Sequence, residues 1–426
     1  MIFWLEALGL LVAVALGFFI YLTLAVNAQA NHQDRVTAVP SVGTETDAFL
    51  RSLQGSAGQP PYLGNTVELF QNGDGIFPPM LDAIRGARST IHFATYIFTT
   101  GSLARTFATA FADAARRGVV VRIVLDSEGS GDVSESILRE MRDAGCLVAW
   151  YRRASWTDWM RYNRRSHRRL LIVDGTVAFT GGAAIGDLWL GNADAPDHWR
   201  DTHARFTGPV VAAFQGGFAD NWNLCTEELL LHVRDYPALA PTGNATVCAV
   251  VSSPSNGASP AQRVMAACIA GAGTSLRITN PYFLPTPAFV EALVAARARG
   301  VEVDVVMPGA LIDMPIVRRA SRHVWEPLLL AGVRLHEFQP TMIHCKTMVI
   351  DDTLLLVGSV NFDPRSFSLN AECAAVVQDP ALVAEATRVF AGDRARCIPV
   401  RLESVQSRGV VSRLLDSLAY LVRAQL

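Results

Sequence analysis

His344-Cys345-Lys346-Thr347-Met348-Val349-Ile350-Asp351 sets a histidine and a lysine one residue apart, then an aspartate after four intervening and largely apolar residues. Lys346 is the only lysine among 37 basic side chains. Arginine presents a planar fork where lysine presents a compact, rotatable ammonium, so a chain biased toward arginine keeps lysine where the ammonium is needed. An earlier run, His167-Arg168-Arg169-Leu170-Leu171-Ile172-Val173-Asp174, has the same spacing with Arg169 in the lysine's place. Two copies point to an internal duplication.

The flanking sequence repeats as well. Ile91 to Phe98 reads as a strand, Leu103 to Arg117 as a helix closed by Gly118, and Val119 to Leu125 as an apolar strand. Leu276 to Phe283, Ala288 to Arg299 closed by Gly300, and Val301 to Met307 repeat that order with a period of about 180 residues. Strands alternating with helices predict mostly parallel sheets covered by helices on both faces. The fold class expected is α/β, with two pseudo-twofold-related α/β/α halves, 62–240 and 241–400, forming one catalytic unit.

The ends read differently. Ile2 to Val26 are nearly all apolar with Glu6 the one charge, a run long enough to cross a bilayer, so 1–27 is expected to be an N-terminal transmembrane anchor. A cleaved signal peptide with Ala28-Gln29-Ala30 at its cleavage site is the rival, against which stand the length of the run and the missing basic n-region. Arg35 and Arg51 follow the segment and no basic residue precedes it, which tilts the globular part to the cytoplasm. Residues 28–61, rich in small and polar residues, read as a linker ending at Pro60-Pro61. In 401–426 the apolar side chains from Val410 to Val422 share one face of an amphipathic C-terminal helix, either packed on the domain or laid on a membrane surface.

A formal charge of -2 gives no global attraction to nucleic acid, and no nucleic-acid partner is expected. The seven cysteines are scattered without the paired spacing that zinc requires, and read as free thiols, with Cys345 facing away from the site. Near the first motif Trp156, Trp159, Met160 and Tyr162 alternate with arginines, a composition suited to a lipid headgroup interface, to stacking on single-stranded nucleic acid, or to core packing.

Period-two alternation puts each histidine and the cation two residues later on one face of a strand. Two such faces brought together supply two imidazoles and two cations around one anionic group, which is a phosphoryl-transfer site with its cations built in and no metal or cofactor expected. One imidazole can attack phosphorus while the other moves protons to and from the alcohols. Each histidine needs a hydrogen bond to its far nitrogen, and Asp201 and Glu372 are acids available for that.

The chain resembles the phospholipase D superfamily, with its duplicated His-x-Lys-x4-Asp motif, and within it the bacterial cardiolipin synthases. Asn163, Arg165-Ser166-His167-Arg168, Asp174-Gly175, Gly181-Gly182 and Trp199 to Pro209 carry the likeness in the first half. Asn280-Pro281-Tyr282-Phe283 and His344 to Glu372 carry it in the second, and it covers roughly 62–400. The resemblance implies two phospholipase D-like halves and the joining of two phosphatidylglycerol molecules into cardiolipin with release of glycerol. With the apolar run at 1–27, the expectation is a bilayer as partner and a single-pass protein of the bacterial inner membrane. By the same resemblance His167 is the nucleophile and His344 the general acid/base, in catalytic motifs completed by Arg169, Asp174, Lys346 and Asp351. Arg169, Lys346, Ser359 and Asn361 would contact phosphate, and Asp201 and Glu372 would orient the imidazoles.

The first half departs from the family pattern in three places: Arg169 for lysine, Ala184 where the second half has Asn361, and Ala94 where a glutamate is common. Reduced activity is one expectation from this, and Lys346→Arg is expected to harm turnover more than Arg169→Lys, for which a gain in turnover is also an expected outcome. The alternatives to a synthase are a hydrolase releasing phosphatidic acid, a nuclease, and a weakly active or non-catalytic phospholipid-binding protein.

Overall fold

A computed structural model describes residues 42–153, 163–254 and 257–426, together with Gly9, Val14, Gly17 and Tyr21, which are helical. The expected anchor, apart from those four positions, and the tryptophans at 156 and 159 lie outside the described residues. Among the described residues no helix is long and apolar enough to cross a membrane.

The segment read as a linker holds a helix, α1 (Asp47–Ala57). Thr46 caps it by accepting from the Phe49 amide, and Gly58, in the left-handed region at φ 72°, ends it. Phe49, Leu50, Leu53 and Ala57 fall on one face and are buried. Five apolar positions in eleven residues, two of them alanines, are too few to show a sustained period, which is why the stretch reads as a linker.

β1 (Pro61–Gln71) starts the first half, followed by α2 (Asn72–Gly86), β2 (Thr90–Thr95), α3 (Ser102–Arg116), β3 (Val120–Asp126), α4 (Glu135–Asp143) and β4 (Leu147–Tyr151). The short β5 (Arg165–Ser166) leads into the motif strand β6 (Leu170–Val173), then β7 (Val177–Gly181), β8 (Thr202–Thr207) and α5 (Val211–Thr226). The second half repeats the order: β9 (Ala245–Ser252), α6 (Pro260–Gly271), β10 (Ser275–Thr279), α7 (Pro287–Ala298) and β11 (Glu302–Pro308). α8 (Pro315–Arg322), α9 (Trp325–Leu330), β12 (Arg334–Phe338), the motif strand β13 (Thr347–Ile350), β14 (Leu354–Gly358) and α10 (Pro364–Ser368) come next. The chain finishes with β15 (Asn370–Gln378), α11 (Pro380–Ala395), β16 (Cys397–Pro399), α12 (Leu402–Gln406) and α13 (Val410–Leu421).

Outward from its centre the sheet runs β1-β8-β7-β6-β2-β3-β4 on one side and β9-β15-β14-β13-β10-β11-β12-β16 on the other. The halves meet where β1 pairs antiparallel with β9. The expectation of mostly parallel sheets is corrected here: β2-β3-β4 and β10-β11-β12 are parallel, whereas β6-β7-β8 and β13-β14-β15 are antiparallel meanders. The reason is connection length. Residues 174–176 and 351–353 are too few for a crossover helix, so each motif strand folds back as a hairpin.

Strands in the middle of the sheet are buried on both faces. Leu171 and Val173 pack toward α2, α3 and α4, while Leu170 and Ile172 pack with α5 and with β14, β15 and α11 of the other half. Met348 and Ile350 join α1, α6 and α7. α5 and α11 thus share one core spanning both halves, which fixes the position of one motif strand against the other.

Leu53→Ala is expected to lower unfolding free energy by about 2 to 4 kcal/mol, because it deletes a fully buried leucine from the core that α1 shares with α6 and α7. Urea denaturation checks it, and an unchanged midpoint would return 47–57 to a linker.

Candidate active site

β5 and β13 deliver the two histidines to the seam, and each meets an acid from the opposite half. β5 runs parallel to the start of β15, and the His167 amide donates to the Ala371 carbonyl. The next residue, Glu372, accepts from His167 Nδ1 at 2.9 Å. On the other side Arg200 bridges to Ile343, the His344 amide donates to the Arg200 carbonyl, and Asp201 accepts from His344 Nδ1 at 2.8 Å. A carboxylate at Nδ1 holds the proton there and leaves Nε2 as the basic atom of the neutral ring. Arg200 is itself fixed by a buried two-pronged ion pair with Asp393 of α11.

Each acid's second partner differs between halves. The Ser359 hydroxyl donates to Glu372 Oε2. Gly182 stands at the equivalent position, where a Cβ would collide with Asp201 Oδ1. Asp201 instead accepts from Trp189 Nε1 at 2.8 Å. Trp189 and Trp199 also flank the His344 ring at 5.2 and 5.5 Å, and Tyr96 stands edge-on to His167 at 5.3 Å. The sequence carries a signal for Trp189 only in retrospect, in the glycine pair 181–182 that faces Gly358-Ser359.

Three expected site residues are placed otherwise. Asp174 and Asp351 lie at the far ends of the motif strands, roughly 13 Å along a four-residue strand from the histidine end. Asp174 accepts from the Arg88, Ser89 and Thr90 amides, and Asp351 from those of Gly273, Thr274 and Ser275 and from the Thr44 hydroxyl. Both sit at positive φ in their hairpins, which aspartate tolerates, so they secure the turns before β2 and β10 and touch no reacting group. Ser359, expected at phosphate, has its single hydroxyl proton directed to Glu372.

Lys346 Nζ lies 2.9 Å from both ring nitrogens of His344, and Arg169 Nη1 lies 3.3 Å from His167 Nδ1. Arg169 Nε and Asn361 Oδ1 are buried with no protein partner. Burial, then the neighbouring Arg169, lowers Lys346 to about 7. Burial, reinforced by Arg169 and Lys346, holds both imidazoles well below their usual value. Glu372 is raised to about 7 by burial against the pull of Ser359, and burial likewise raises Asp201. The imidazoles are neutral and nucleophilic in such surroundings, and an entering phosphodiester anion is offered cations that have little other charge compensation. Cys345 points away, packed with Phe338 and Phe390, and burial pushes its thiol up to about 12.

The three first-half departures are neighbours. Arg169, Ala94 and Ala184 line one small cavity of about 10 Å³ with Thr95, Ala183 and His203. In the second half the corresponding positions are Lys346, Thr279 and Asn361. The wider guanidinium therefore sits where two side chains are cut back to alanine, a volume-compensated arrangement.

A family model described as cardiolipin synthase, phospholipase D-like domain, matches residues 80–187 and 265–394. A cardiolipin synthase A of Pseudomonas fluorescens is 33% identical over 350 residues, 81% of this chain and 72% of that protein. A cardiolipin synthase 1 of Bacillus cereus is 30% identical over 380 residues, 87% of this chain and 74% of that protein. The crystal structure of phosphatidylserine synthase from Haemophilus influenzae superposes with a TM-score of 0.65 at 13% identity, covering 88% of this chain and 99% of that one, a likeness of fold.

Arg169→Lys alone is expected to cut phosphodiester turnover by about tenfold, the loss of one charge-directed hydrogen bond. Arg169→Lys with Ala184→Asn should recover to within about threefold of the original, since the pair shares one space. Steady-state kinetics of the two single variants and the double variant check this, and strict additivity would contradict the shared cavity. Lys346 carries charge below about 7 and loses it above, so kcat/KM should fall as pH rises through that value. Lys346→Arg keeps its charge, and its pH profile should lose that limb even though its absolute rate is lower.

Proposed function

Because the chain belongs to the cardiolipin synthase family with its phospholipase D-like domain, we propose that it joins two phosphatidylglycerol molecules into cardiolipin and releases one glycerol. The observation that carries the reading is the crossed pair of His-carboxylate couples, His167–Glu372 and His344–Asp201, facing two buried cations.

His167 Nε2 attacks phosphorus of the first phosphatidylglycerol. The P–N bond forms as the bond from phosphorus to the headgroup glycerol oxygen breaks, and the His344–Asp201 couple supplies the proton that glycerol takes away. The same couple then removes the proton from the terminal hydroxyl of a second phosphatidylglycerol, whose oxygen attacks phosphorus and displaces His167. Arg169 and Lys346 bind the non-bridging oxygens throughout and stabilise the charge that builds on them. Asn361, buried beside them, offers an amide to the same oxygens. The lowered imidazole basicity favours the neutral attacking form of His167. Anion binding between the cations restores basicity to His344 for its proton transfers. An anchor at 1–27 in the bacterial inner membrane, with the catalytic part on the cytoplasmic side, would present the site to these lipids.

Purified full-length protein given phosphatidylglycerol of defined acyl chains should yield cardiolipin and glycerol in equal amounts, read by mass spectrometry. Phosphatidic acid without cardiolipin would make the protein a hydrolase. His167→Ala and His344→Ala should each lower the rate by at least about a thousandfold.

A further inference from the structure

The C-terminal helix α13 is amphipathic as its sequence predicts, but it is mounted with its polar side inward. Asp416 is buried between Arg408 and Arg319, Ser417 bonds His323, and Tyr420 stacks on the His323 ring at 4.4 Å. Ala419 packs with Ala320 of α8 and with Leu284. At about 100° per residue the opposite side carries the apolar row. Val410 is 82% exposed, Val411 71%, Leu414 58% and Leu418 50%. A solvated helix of a soluble protein places these residues inward, so this face has a partner.

Two connections tie the face to the candidate active site. Seven residues beyond Leu418, Gln425 accepts from Asn163 and its carbonyl accepts from Arg365, whose charge is felt at His167. The loop before α8 exposes Leu311 and Met314 and the first turn of α8 exposes Ile316, while Asp313 among them accepts from Tyr282 at 2.6 Å and feels the charge of Lys346. Exposed Arg319 and Arg413 border the two apolar patches. An apolar ridge edged by arginine and continuous with a phosphodiester site fits the interface of an anionic bilayer, into which apolar side chains insert while guanidiniums meet phosphate headgroups.

We propose that α13 and the segment 311–316, which leads into α8, form a bilayer-docking surface that seats the site mouth on the membrane independently of the N-terminal run. The choice of a bilayer rests on the phospholipid substrate proposed above. Docking there would let a headgroup enter between His167 and His344 while its acyl chains stay in the lipid.

The test uses full-length protein reconstituted in phosphatidylglycerol vesicles that carry a photoreactive group on an acyl chain. Crosslinks mapped by mass spectrometry should fall on 409–422 and 309–316, and crosslinks confined to other segments would overturn the surface, whatever the enzyme's activity. In parallel, Leu414→Asp with Leu418→Asp should lower the rate on vesicle phosphatidylglycerol by about tenfold or more while leaving that on monomeric short-chain phosphatidylglycerol within about twofold. Equal losses on both substrates, or no loss on either, would overturn it. So would a wild-type dimer that the double variant converts to monomer with its vesicle rate intact, since the face would then belong to a second copy. Absence of turnover of the soluble substrate by the wild type would instead strike at the proposed reaction.

Discussion

Each imidazole in the candidate site is held by a carboxylate from the other half of the chain, and the rest of the molecule serves to keep those two crossed couples in register. The backbone does it first. β5 lies along the start of β15 one residue before Glu372, and Arg200 bridges Ile343 one residue before Asp201 and one before His344. Neither half can orient its own histidine. The joined sheet through β1 and β9, and the core that α5 and α11 build across it, are the structural consequences of that requirement.

Burial makes the arrangement chemically useful. The two histidines, two acids and two cations are all nearly inaccessible to water, so their charges act on one another in a low effective dielectric. Crowded positive charge depresses Lys346 and both imidazoles, while desolvation lifts Glu372 and Asp201. A phosphodiester anion relieves the crowded positive charge that depresses Lys346 and the imidazoles, which is how the site can favour its substrate. The halves reach this state by different means. Ser359 braces one acid and Trp189 the other, and an arginine with two alanines corresponds to a lysine with a threonine and an asparagine.

The duplicated motif made the two-half α/β architecture and the principal site residues legible in the sequence, because His-x-cation spacing on a strand leaves little freedom in where the side chains point. What the sequence hid follows from the limits of local pattern. The hairpin geometry after each motif strand turns on Asp174 and Asp351, which a motif-level reading counts as chemical and which act on backbone amides a strand's length away. Trp189 reaches Asp201 through a contact that no spacing rule encodes. α1 has too few apolar positions to stand out, and its place is set by long-range packing of its buried face against α6 and by the bond from Thr44 just before it to Asp351. In α13 the apolar face was legible, but the side on which the domain would seize it depended on the buried Asp416 and its arginines.

The crossed assignment has a direct kinetic signature. In the proposed mechanism the leaving group of phosphatidyl-p-nitrophenol departs without protonation, so forming a phosphatidyl-His167 adduct would draw on Glu372, and resolving it would draw on Asp201 through His344. Stopped-flow release of p-nitrophenol should then show that Asp201→Asn keeps a burst of about one equivalent and loses steady turnover, whereas Glu372→Gln loses the burst. The opposite pattern, a burst kept by Glu372→Gln and lost in Asp201→Asn, would contradict the account.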